Sequence, residues 1–170
     1  MMIKRFGLGL ALLMVAATAL AGGQYEPSFP GVPTVPTPPG VDYGGFFKAH
    51  QPVNIVFGVS DPGRQLKESL VNAAYTIKYL KPRGIPYHIQ IVIYGAAVNA
   101  ANSFTSEYGG YAPLLETLHE KGVQFMVCNN SLHAMQVPAD NVYHFMKIIP
   151  AGILQIAKMQ MQGYTYISNH

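Results

Sequence analysis

Cysteine, tryptophan and charge are scarce in this chain. One cysteine among 170 residues excludes an intrachain disulfide framework and a cysteine-rich zinc centre, which makes Cys128 the only thiol able to react or to bridge to another molecule. Charged residues are only 11% of the total, with 11 Lys plus Arg against 8 Asp plus Glu. No extended basic face is available to neutralise a phosphate backbone, so no nucleic-acid partner is expected. The histidines are scattered without His-x-x-x-His spacing, and Cys-x-x-Cys is absent, so no metal site is expected. Gly58-x-x-x-x-Gly63-Arg64 lacks the Lys-Ser/Thr ending of a phosphate loop, and no Gly-x-Gly-x-x-Gly follows a strand, so no cofactor is expected either. Met159 and Met161 are two residues apart and do not share a helical face, which speaks against a thioether copper site.

Apolar residues, by contrast, make up 49% of the chain, enough for one packed core at this length. The first of them form a leader. Lys4 and Arg5 precede the apolar run Phe6 to Leu20, and Ala19-Leu20-Ala21 has the small-x-small pattern of a signal-peptidase site. The run falls short of the ~20 residues that span a bilayer, so residues 1–21 read as a cleaved signal peptide rather than a stable membrane span. Cleavage lowers the formal charge from +3 to +1, and the expected destination is the periplasm or the exterior. Residues 22–51 form an arm or linker. Six prolines between Gly22 and Gly45 remove backbone donors and favour extended chain. The interleaved Phe29, Val32, Val35 and Tyr43 offer a second role, lying along the domain or along a neighbouring subunit.

From residue 52 to 170, short β-branched runs alternate with amphipathic segments. Val53 to Val59 is a continuous apolar run of the kind buried on both faces of a parallel sheet. Asp61 is a candidate cap for the next helix, with Pro62 in its first turn, and Leu66, Leu70, Ala73, Ile77 and Leu80 share one helical face. Tyr87 to Tyr94, Val123 to Val127, Phe145 to Ile149 and Tyr164 to Ile167 supply further strands, with helices expected from Pro113 and over Pro150 to Gly163. This alternation predicts an α/β fold: three layers, α/β/α, around a mostly parallel sheet of about five strands, Rossmann or flavodoxin-like. Strand order does not follow from the pattern.

In such a sheet ligands bind beyond the carboxyl ends of the strands, where Cys128 is expected. Asn129, Asn130 and Ser131 offer a helix cap immediately after it, and unpaired amides at a helix start stabilise a thiolate. Free cysteine is also among the most buried residue types, so an inert core thiol is the competing reading. His133, five residues on, is a further candidate for holding or protonating a sulfur species, against the commoner surface histidine. Asp61 and Glu107 are the remaining acid-base candidates, and nothing in the sequence brings them together.

The run Val123-Gln124-Phe125-Met126-Val127-Cys128-Asn129-Asn130-Ser131-Leu132, then Ile148-Ile149-Pro150-Ala151-Gly152-Ile153, then Gln160 to Ile167, resembles the DsrE/DsrF-like family of sulfur-oxidation and sulfur-relay proteins, in particular its exported branch. The resemblance covers roughly residues 52 to 168. It implies a three-layer α/β/α fold, assembly as a homo-oligomer (trimer or hexamer), and a persulfide carried on Cys128. The chain departs from the family pattern at Asn129, where glycine is frequent, and at Tyr94-Gly95-Ala96, where His-Gly-Pro is frequent. Two functions stand side by side. One is an exported sulfur-handling protein, a sulfurtransferase or sulfur carrier that takes sulfane sulfur from a donor and passes it to an acceptor thiol or protein. The other is a non-enzymatic oligomeric binding module with a structural, unreactive Cys128.

Overall fold

The computed structural model describes residues 26–169; the expected signal peptide, residues 1–21, lies outside the described residues. Five strands form one sheet: β1 (Val53–Val59), β2 (Tyr87–Ile93), β3 (Gln124–Cys128), β4 (Lys147–Ile149) and β5 (Thr165–Ser168). Every pairing is parallel and the order is β4-β3-β2-β1-β5. The chain therefore builds outward from β1 to β4, then returns across the sheet to place β5 on the other side of β1.

Strand residues alternate between two unequal cores. Ile55, Phe57 and Val59 of β1, Ile89, Ile91 and Ile93 of β2, and Phe125 and Val127 of β3 face the larger core. There they meet α2 (Arg64–Leu80), α3 (Ala112–Glu120) and Leu132 of α4 (Asn129–Ala134). Leu66, Leu70, Ala73, Ile77 and Leu80 of α2 are all essentially inaccessible to water, and each large aliphatic buried in this way contributes about 1.5–3 kcal/mol. The opposite face carries a smaller core of Val56, Val92, Met126 and Ile149, covered by Ile156 and Met159 of α5 (Gly152–Met161).

Local starts and stops differ from the sequence reading in instructive ways. Helix α2 begins at Arg64 with Gly63 as its cap residue, so Asp61 does not cap it. Asp61 instead accepts a hydrogen bond from the Gly63 amide at 3.0 Å, closing a turn. The side chain of Gln65 reaches back to accept from the amides of Ser60 and Asp61. Helix α4 starts one residue earlier than a cap at Asn129 allows, because Cys128 itself, extended at φ −71° and ψ 114°, occupies the cap position.

The proline-containing arm lies along the domain. Phe29 and Val32 are buried in the larger core, joined by a Val32 N–H to Phe29 carbonyl bond of 3.1 Å that closes a turn through Gly31 at φ +69°. Lys78 of α2 is buried beneath the arm, where it donates to the Thr34 hydroxyl at 2.9 Å and the Pro33 carbonyl at 3.3 Å, with Glu26 at 3.6 Å. A short helix α1 (Gly44–Ala49) follows, and Phe47 packs edge-on to Tyr79 of α2.

Candidate functional site

Adjacent strands β3 and β4 continue into helices on opposite faces of the sheet. Leu132 of α4 packs into the larger core and Ile156 of α5 into the smaller one. Chain leaving in opposite directions opens a crevice at the carboxyl ends of the two strands, the position where open α/β sheets bind ligands. Cys128 is the last residue of β3, sits in register with Ile149 at the end of β4, and is 5% exposed.

Burial pushes the Cys128 thiol up, but hydrogen bonding by the Ser131 hydroxyl and by the backbone N–H groups of Gly152, Ser131 and Asn130 lowers it, and the thiol ends below its ordinary value. Hydrogen bonds stabilise the charged form, and here they outweigh desolvation. The Ser131 side chain is itself oriented, because its Oγ accepts the Gly95 N–H at 2.8 Å and its proton is left for the sulfur. Gly95 makes this possible by two properties. It adopts φ +56°, and a Cβ there would stand 3.1 Å from the Ser60 carbonyl oxygen.

Gly152, the first residue of α5, supplies its amide from across the crevice. A Cβ at Gly152 would lie 2.8 Å from Cβ of Tyr94, so only glycine lets the helix start this close to the end of β2. The Tyr94 phenol is pushed up by burial first and then by Tyr166, while a hydrogen bond with Ser60 acts in the opposite direction.

Of the sequence-proposed residues, Asn130 and Ser131 reach the thiol, through their amides and the Ser131 hydroxyl. Asn129 is exposed and is not among the donors, and the same holds for His133. Gly95, Gly152 and Tyr94 enter the sequence analysis only within the family resemblance, with no role at the thiol. A glycine two residues after β2 and another at the start of α5 were the available signals, but neither position by itself reports an approach to Cys128. Asp61 and Glu107 both act on the Tyr108 phenol, pushing it up, with the Glu107 hydrogen bond as the largest cause. Sequence spacing had given no reason to join them. Among the described residues no group of three or more His, Cys, Asp or Glu is arranged to hold a metal ion.

The sequence profile of the DsrE/DsrF-like family matches residues 53–168. The chain belongs to that family. Comparison with curated proteins gives no match. A solved structure of a protein of unknown function from Methanobacterium thermoautotrophicum is similar at TM-score 0.60 and 22% identity, covering 68% of this chain and 98% of that one. This likeness concerns the fold. The DsrE-family domain here includes every strand of the sheet, Cys128, and each of the four donors to its sulfur.

Proposed function

We propose that this DsrE-family protein is an exported sulfur carrier that accepts sulfane sulfur as a persulfide on Cys128 and hands it to an acceptor thiol. Family membership points to sulfur relay as the class of function. The observation that carries the finer reading is the place of Cys128 at the end of β3 and at the cap of α4, where the neighbouring amides and the Ser131 hydroxyl favour the thiolate, the form that attacks a donor sulfur. The chain has one cysteine, so release of the sulfur requires a thiol from another molecule. His133 has no part in this reading, since it is exposed and does not contact the sulfur through any of the four donors. Export, to the periplasm or beyond, is supported by the basic start, the short apolar run and Ala19-Leu20-Ala21. N-terminal mass spectrometry of exported protein should then give a chain beginning at or near Gly22.

Incubation of reduced protein with polysulfide, followed by intact-mass analysis, tests the central claim. Sulfur should add in single-atom steps, be removed by reductant, and be absent from Cys128→Ser. A native Cys128 that neither alkylates nor gains sulfur, in a protein whose serine variant keeps its physiological activity, would return the thiol to a structural role.

A further inference from the structure

A groove of about 370 Å³ runs along the α5 face of the sheet beside Met126 and Ile149. Its upper end adjoins the thiol site, because Ile149 is in register with Cys128 and Met126 precedes Cys128 by two residues on the same face of β3. The groove is also lined by Lys147 of β4, Lys158 of α5 and Gln124 of β3, with no carboxylate. Both lysines are exposed, and among the described residues neither lies within 4.0 Å of an acidic oxygen. The three ion pairs among the described residues lie elsewhere, at Arg64, Lys78 and Arg83.

The groove floor is pre-set by a chain of amides. Gln90 is only 7% exposed; its Nε2 donates to Gln124 Oε1 at 2.8 Å, and its Oε1 accepts from Gln155 Nε2 at 2.9 Å. That arrangement uses the Gln124 acceptor and leaves its Nε2 to donate outward, toward a ligand with lone pairs. Two unpaired cations and an amide donor specify an anion. Lys147 stands two strand residues below the Ile149 level, about 7 Å. Lys158 lies six helical residues from Gly152, about 9 Å. The charge is therefore held at some distance from the reacting sulfur.

We infer that this groove binds the anionic end of the sulfur donor, a persulfide of a small carboxylate-bearing thiol, while its terminal sulfur reaches Cys128. The inference rests on the persulfide reading above. In the transfer, the Cys128 thiolate attacks the outer sulfur of the donor and a new S–S bond forms at Sγ. The donor's own S–S bond breaks, and its thiol sulfur leaves with the electron pair as a thiolate. No external oxidant is consumed, and the proton of the outer sulfur stays on the new persulfide or passes to the departing thiolate.

Two measurements on the full-length mature protein test this. The first is the rate of sulfur loading from glutathione persulfide, an anionic donor, against that from the neutral persulfide of 2-mercaptoethanol. In K147Q/K158Q the anionic donor should load at least tenfold more slowly and the neutral donor at an unchanged rate, with the wild-type preference shrinking as salt is added. Equal rates for both donors in wild type and variant would overturn the inference while leaving the persulfide reading intact. The second is calorimetric binding of S-methylglutathione, which cannot transfer sulfur, to Cys128→Ser. Binding that weakens tenfold or more when both lysines are replaced supports the groove even if native Cys128 proves unable to take up sulfur, and no binding to Cys128→Ser overturns it.

Discussion

At the scale of single residues, the chemistry depends on which hydrogens point at one sulfur atom. Ser131 combines two roles that its neighbours cannot share, an amide and a hydroxyl donated to Sγ, with the hydroxyl held in line by the Gly95 amide. Removing that hydroxyl in Ser131→Ala should raise the Cys128 thiol and slow alkylation near neutral pH by roughly tenfold, the size of one lost hydrogen bond to a charged acceptor. Ser131→Thr, which keeps the hydroxyl, should restore the rate, and a pH–rate profile with iodoacetamide checks both. The depressed thiol also has a stability consequence. Between the folded value and the ordinary one of about 9, the unfolded state binds more protons, so stability increases as pH rises through this window. It is lost as pH falls through the folded value. Urea midpoints of wild type minus those of Cys128→Ala should therefore become more positive as pH rises toward the ordinary thiol value of about 9.

Among the elements, the start of α5 and the arm have the most specific positions. The N–H of Gly152 reaches Cys128 only because α5 begins against Tyr94, and Gly152→Ala places a Cβ 2.8 Å from Tyr94 Cβ. The helix start must then move, with an expected loss of about 1–3 kcal/mol in chemical denaturation and a shift of the alkylation profile to higher pH. The arm is bound to α2 by apolar and polar contacts together. Phe29 fills part of the larger core, and the Lys78 ammonium is satisfied by arm oxygens. Phe29→Ala should cost about 3 kcal/mol by the cavity it leaves, and should expose the arm between Pro33 and Tyr43 to proteolysis. An arm acting only as a solvated spacer would show neither effect.

For the whole molecule, the two faces of the sheet are covered unequally. Among the described residues, helices α2, α3 and α4 close one face, whereas the other has α5 alone. The outward side of α5 carries Ile153, Leu154 and Met161, which are 67%, 66% and 89% exposed and share one stripe with Ala157. A contiguous apolar stripe of this kind is where the homo-oligomer implied by the family resemblance would meet, since scattered single residues would need no such explanation. Leu154→Glu should shift the sedimentation coefficient of the mature protein toward the monomer while leaving its far-UV circular dichroism unchanged, because the side chain contributes nothing to either core.

Periodicity and chain chemistry determined most of the architecture from the sequence alone. Val53 to Val59 could be read as a buried parallel strand, and the 66-70-73-77-80 stripe as the inner face of α2, because both patterns are local and repeat with the backbone's own period. Cys128 was legible as the end of a strand for the same reason. The order β4-β3-β2-β1-β5 was not, since parallel strands are joined by long crossovers whose destinations depend on how whole helices pack. The cap at Cys128 itself, the approach of Gly152 from α5, and the Gly95 bond that aims Ser131 also waited on the tertiary structure. The last two join residues 24 and 36 positions apart. Hydrophobic pattern decides which side of an element is buried, but a hydrogen bond to one sulfur depends on distances set only when β2, β3, α4 and α5 have all been packed against one another.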